Sequence, residues 1–156
     1  MKNIDTINTI RILPSDKYTF PTEKDFREFI ENTMVNRGGD YYFPNTMMRC
    51  VENTLVLFQY DGMIRAIGTL IEAKKEKVID EHGIEYAGYY KFDIESLKYL
   101  DSPIDREELK AVYPEFKSFN QTKQIIPIEY LNNILGIMKK FKEVNKKLLF
   151  EKIVDK

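Results

Sequence analysis

Few residues in this chain could do chemistry, and their spacing limits what that chemistry could be. His82 is the single histidine; it lies in a charged turn with no second soft ligand near it in sequence, so neither a metal centre nor a general base is expected there. Cys50, the single cysteine, has no histidine with a credible role, and no Gly-x-Ser-x-Gly turn occurs, so nucleophilic catalysis is not expected. Gly38-Gly39, Gly62 and Gly68 lack the spacing and the lysine of a phosphate loop. One catalytic pattern has suitable residue types: Asp61, a strand, then Glu72-Ala73-Lys74, as in small nucleases that hold magnesium on two carboxylates. At about 3.3 Å per residue the two carboxylates would stand roughly 30 Å apart along that strand, too far for one ion to bridge.

A second set of residues suits binding. Tyr41, Tyr42 and Phe43 offer ring faces, Phe58 and Arg65 form an expected cross-strand pair of ring and cation, and Ser118, Asn120 and Gln121 offer hydroxyl and amide groups. With such groups a protein stacks a flipped or single-stranded base and reads its edge. Lys117, Lys139, Lys140 and Lys142 would add phosphate contacts that are blind to sequence. Each feature also has a plainer meaning, because aromatics are common core residues and a Lys-rich helix end is more often a solvated face or a tether.

The elements that would position these residues follow from periodicity. Residues 4–13 are β-rich but irregular, and Pro14 follows them, which predicts a short edge strand or arm. Thr22 and Asp25 form a capping box ahead of Phe26, Phe29, Ile30 and Met34 at helical spacing. A helix over 22–35 follows, ended by Arg37-Gly38-Gly39-Asp40, with Tyr41-Tyr42-Phe43-Pro44 in the loop beyond. Residues 55–60 and 63–71, joined by Asp61-Gly62, predict a hairpin with a type I′ turn. With Tyr60 opposite Met63, alternation puts Leu55, Leu57, Ile64, Ala66 and Leu70 on one face and Val56, Phe58, Tyr60, Arg65 and Ile67 on the other. A charged connection over 74–83 leads to strands over 86–94 and 97–100. Asp105 with Glu108 caps a short helix over 106–112, and Gln124–Ile126 is a last strand. Pro127 opens a final helix striped with Leu131, Ile134, Leu135, Met138, Phe141 and Leu148.

A chain of 156 residues, 43% hydrophobic, is long enough for one buried core. One domain over 1–138 is expected, with 139–156 as a basic C-terminal helix extension or tether. The 24 Lys and Arg against 25 Asp and Glu give the whole molecule no strong field toward nucleic acid or membrane, so any such contact must be local. One cysteine excludes an intrachain disulfide, and Met1–Ser15 lacks the apolar core of a secretion signal, so a cytoplasmic location is expected. No apolar run approaches the roughly 18 residues needed to span a bilayer. No cofactor is expected.

The hairpin Leu55-Val-Leu-Phe-Gln-Tyr-Asp-Gly-Met-Ile-Arg-Ala-Ile-Gly, the strand Tyr89-Tyr-Lys-Phe-Asp, Ser102-Pro-Ile-Asp105 and Phe116-Lys-Ser-Phe-Asn-Gln, with the helix that follows, together resemble PUA-like barrels of the EVE type. They are especially similar to the modified-base readers attached to HNH or other restriction nucleases. The likeness spans roughly residues 40–135 and rests on β patterns without an invariant signature. It implies an α+β fold, a curved and partly closed mixed β-barrel with flanking helices. It also implies a non-catalytic nucleic-acid-binding module that takes a modified or flipped base into an aromatic-lined pocket, any catalysis lying in a separate nuclease domain or partner. Tyr41, Tyr42 and Phe43 would then line the pocket and Ser118, Asn120 and Gln121 its edge. The absence of Trp departs from many such pockets, so Tyr or Phe would substitute. The alternatives are a protein-interaction or regulatory module docking through its last helix, and the small metal-dependent nuclease considered above.

Overall fold

A computed structural model gives the fold and describes residues 7–45, 47–48, 52–119 and 125–141, the last three by backbone alone. Asp61 and Gly62 both take positive φ (51° and 76°), the geometry that a two-residue hairpin turn needs to match strand twist. They join β3 (Thr54–Tyr60) to β4 (Met63–Ile79), with Tyr60 opposite Met63 as alternation requires. A bulge between Phe58 and Gln59 then shifts the register, so Phe58 faces Ala66 and not Arg65. The extra residue turns over the rest of β4. Ile64 and Ile67 join Leu55 and Leu57 in one core cluster, while Ala66 and Leu70 join Val56, Phe58 and Tyr60 in the other. The expected facial assignment of Ala66, Ile67 and Leu70 is therefore inverted, and both faces of β3 are core.

The strand β1 (Thr9–Ser15) is internal. It runs parallel to β3, Thr9 beside Thr54 through Ser15 beside Tyr60, and antiparallel to the short β7 (Ile125–Ile126) on its other side. Ile10 and Ile12 are fully buried, so the expected strand is present but its expected place at an edge is corrected. Pro14 lies inside the strand because the β7 ladder reaches only Ile10 and Arg11, leaving that side unpaired further along. Residues 74–79, expected as a connection, continue β4 as a largely exposed ribbon paired with β5 (Glu85–Phe92). The charges that suggest a loop occupy a solvated ribbon, where Lys74–Glu76 and Lys77–Glu85 pair at 3.2 and 3.4 Å.

Residues 40–43, expected as a loop, form β2 (Asp40–Phe43), antiparallel to β5 with Tyr41 opposite Tyr90 and Phe43 opposite Gly88. From β5 a 3-10 turn (Ile94–Ser96) leads into β6 (Lys98–Asp105), longer than expected, which pairs with the first part of β4. The ladder order is β2-β5-β4-β3-β1-β7 with β6 on β4, an open mixed sheet. Capping boxes at Thr22/Asp25 and Asp105/Glu108 start α1 (Glu23–Glu28) and α3 (Arg106–Val112) as expected. After α1 the helix continues through a π-helical turn (Phe29–Thr33) into α2 (Met34–Asn36). Together with Phe20, Phe26, Ile30 and Met34, it covers the face carrying Phe58, Tyr60, Tyr90 and Phe92. A 3-10 turn (Ile128–Tyr130) follows Pro127 and leads to α4 (Leu131–Phe141). Leu131, Ile134, Leu135 and Met138 of α4 and Leu109 of α3 cover the opposite face. The architecture is α+β, with helices on both faces of one sheet. Among the described residues no helix is long and apolar enough to cross a membrane.

Candidate functional site

Curvature of the sheet creates the site. Strands β1 and β2 are separated by three others in the ladder, yet the C-terminal end of β1 and alternate residues of β2, Tyr41 and Phe43, border the same cavity of about 310 Å³. That volume lies at the small end of the range for small-molecule sites, about 300–1,000 Å³. It suits one planar heterocycle better than a large cofactor.

Four rings border the cavity: Phe20, Tyr41, Phe43 and Tyr90. Phe20, Phe43 and Tyr90 are buried, so the partly buried Tyr41 is the ring with surface to offer. Its position is held from behind. Phe29 meets it edge-on at 5.6 Å between centroids, Phe58 tilts against it at 6.2 Å and Tyr90 at 6.0 Å. Phe43 packs on Tyr90 at 4.9 Å, and Gly88 opposite makes room for it, since a Cβ there would lie 2.4 Å from the Phe43 ring. The Tyr90 hydroxyl accepts a hydrogen bond from the Met48 amide at 2.6 Å, which fixes that ring as well.

The polar wall comes from the turn after β1 and the residues after β2: Ser15, Asp16, Thr19 and Asn45. One Asp16 carboxylate oxygen accepts from the Thr19 amide at 2.8 Å, forming the local turn. The buried Ser15 Oγ makes no hydrogen bond of full geometry. Burial raises the pKa of the Tyr41 phenol, opposed by an interaction with Ser15 that lowers it and reinforced by the nearby Asp16 charge. Tyr41 is thus a protonated hydroxyl at neutral pH, able to donate. No Lys or Arg is found among the described residues that line the cavity.

Of the described residues expected at a pocket, Tyr41 and Phe43 meet here, and Tyr42, Phe58, Arg65 and Ser118 do not. Tyr42 points away along β2, because successive strand residues face opposite sides. It packs on Tyr86 at 5.5 Å and under the Arg37 guanidinium at 4.1 Å. Arg37 in turn holds Glu81 through two bonds of 2.9 and 2.8 Å, so Tyr42 belongs to a clasp between the helix end and the β4–β5 turn. Phe58 has no exposed surface and supports Tyr41 from within the core. Arg65 donates from Nε to the Tyr60 carbonyl at 2.9 Å and lies over the Tyr60 ring, a bond within the hairpin. Lys117 and Ser118 sit between Phe116 and Phe119, whose rings pack 4.8 Å apart against the cluster on the other face of the sheet. They are not lining residues of the cavity. Asn120, Gln121, Lys142 and Cys50, and the side chains of Lys139 and Lys140, lie outside the described residues.

The nuclease residues are dispersed. Asp61 pairs with Lys17 at 3.1 Å at the hairpin tip, Glu72 accepts from the Tyr89 hydroxyl at 3.0 Å, and Lys74 is taken by Glu76. Among the described residues no three His, Cys, Asp or Glu side chains are grouped to hold a metal ion. Ser15, Asp16, Thr19, Asn45, Phe20 and Tyr90 went unnoticed in the sequence. Two signals could have found some of them. Pro14-Ser15-Asp16 followed by Thr19 has the composition of a side-chain-supported turn, and reading 40–43 as a strand would have set Tyr90 against Tyr41.

No family model and no curated protein matches the chain. In fold it is similar to Rpa0253 from Rhodopseudomonas palustris, a structure determined by NMR, at 13% identity and a TM-score of 0.52, covering 86% of this chain and 95% of that one.

Proposed function

We propose that the chain is a nucleic-acid-binding module that takes a flipped or modified base into the cavity between β1 and β2, on a PUA-like, partly closed barrel of the EVE type. The observation that carries this reading is the meeting of Tyr41 and Phe43 with Ser15, Asp16 and Asn45 around one cavity of about 310 Å³, from segments distant in the chain. A base stacked on Tyr41 gains about 1–3 kcal/mol, enough to offset much of the cost of leaving the helical stack. Phe43 and Tyr90 close the apolar base of the site, and the turn at Asp16 with Asn45 contacts the edge of the bound ring. The curl that brings β1 beside β2 supports the barrel assignment. The module is non-catalytic in this reading, with any strand cleavage left to a separate domain or partner, and a cytoplasmic location fits it.

Fluorescence anisotropy with labelled oligonucleotides tests the proposal. Wild-type protein is expected to separate modified from unmodified strands. Tyr41→Ala should remove that difference with a loss of about 5- to 150-fold in affinity, the equivalent of one stacked base. Tyr42→Ala, on the outer side of the strand, should keep it. Equal binding of all strands by wild type and Tyr41→Ala would refute the proposal.

A further inference from the structure

We propose that the cavity selects an amino-bearing base, an adenine, cytosine or guanine type, over the amino-free thymine and uracil types, with Asp16 as the residue that determines this choice. The inference rests on base binding at this site and adds the class of base to it.

The argument starts from charge. Asp16 is the one carboxylate among the described lining residues, and no lysine or arginine accompanies it. A ligand carrying its own negative charge, such as a phosphate group, would meet repulsion without compensation. A carboxylate has two oxygens and roughly four acceptor sites. In Asp16 the Thr19 amide occupies Oδ1, which leaves the carboxylate further acceptor capacity at the cavity rim. An acceptor of this kind is completed by N–H groups, and an exocyclic amino group supplies two of them. A carboxylate receiving the cytosine amino group is the established form of this pairing in base recognition. Thymine and uracil lack that amino group; their one edge donor, N3–H, is flanked by two carbonyl oxygens, so a carboxylate that accepts there also meets an acceptor beside it.

Two neighbours complete the pattern. The Tyr41 phenol, kept protonated by burial with the Asp16 charge close by, is a donor for a ring nitrogen or carbonyl beside the amino group. Ser15 Oγ, buried without a full hydrogen bond, is a second group that a ligand edge could satisfy, and buried polar atoms left unpaired are costly. Donor, hydroxyl and carboxylate thus stand together on one side of a cavity otherwise walled by rings.

Identical duplexes carrying A, C, G or T opposite an abasic site, titrated against the full chain by anisotropy, test the assignment. At least one of A, C or G should bind about tenfold more tightly than T, a gap within the range of one good base contact. Asp16→Asn should collapse that gap, because an amide in the same place presents N–H to the amino group. Asn retains the oxygen that accepts from Thr19, so its melting temperature should match wild type. Equal affinity for the four duplexes, a preference for T, or a gap unchanged in Asp16→Asn would overturn the assignment while leaving base binding intact if Tyr41→Ala still weakens the complex. Tetramethylammonium displacing no duplex supports the assignment. Its binding with unchanged duplex affinity in Tyr41→Ala would overturn both, since rings and a carboxylate would then form a cation cage.

Discussion

Adjacent residues in β2 do different work, and the division follows from strand geometry. Tyr41 and Phe43 face the cavity, whereas Tyr42 serves the Arg37 clasp. The ring types were legible in the sequence; their sides were not, because the segment reads as a loop until Tyr41 is seen opposite Tyr90. Arg65 shows a similar limit. Its distance from Phe58 depends on one bulge residue, which no alternation rule anticipates. The clasp makes a prediction with a defined sign. The Arg37 hydrogen bonds hold the Glu81 carboxyl down from 4.5 to about 2. A depressed folded-state value means the contribution is present above pH 4.5 and lost as pH falls from there toward 2. The Glu81 side chain is 51% exposed, so screening keeps the contribution below about 1 kcal/mol. Urea titrations across that window should show wild type losing the increment and Glu81→Gln lacking it at every pH. Equal pH dependence of the two proteins would contradict the prediction.

At the scale of elements, the hairpin and both capping boxes could be read from local chemistry, since Asp-Gly turns and S/T/D-x-x-D/E starts act over a few residues. The internal place of β1, expected at an edge, and the ribbon 74–79 could not. β1 has a partner 45 residues away at Thr9–Thr54, and the ribbon is a strand by pairing despite its charge. Gly88 makes the element-scale dependence testable. A Cβ there would lie 2.2 Å from the Lys74 carbonyl and 2.4 Å from the Phe43 ring. Backbone cannot step aside as a flexible side chain can, so β5 or Phe43 must shift. Gly88→Ala should destabilise the protein by about 1–3 kcal/mol, the usual cost of overpacking. It should also weaken oligonucleotide binding, because the ring at the base of the cavity is displaced. A stable Gly88→Ala protein with full affinity would show that the Phe43 position does not matter to the site.

For the whole molecule, the decisive feature is that a sheet with open ladder ends curls until β1 and β2 share a cavity. Curvature is a sum of twists and bulges, at Phe58/Gln59, Leu70/Glu72 and Lys75/Val78 among others. No one of them carries a sequence signature strong enough to predict the closure. The global charge, by contrast, is plain from composition and bears directly on how binding should respond to salt. A formal net charge of −1 and a cavity lined by no described cation leave little long-range attraction for a phosphate backbone. Affinity in the proposed complex then comes mainly from stacking and edge contacts, which release few counterions. The slope of log K against log salt should be shallow, of magnitude about 1–3, where a protein making 6–10 phosphate contacts shows roughly 5–9. Charge reversal at Lys139, Lys140 and Lys142 should reduce the slope by at most the few contacts those residues make, and it should leave the discrimination between bases unchanged. A steep slope that disappears with those lysines, together with loss of base discrimination, would move the binding energy from the cavity to the basic end of the chain.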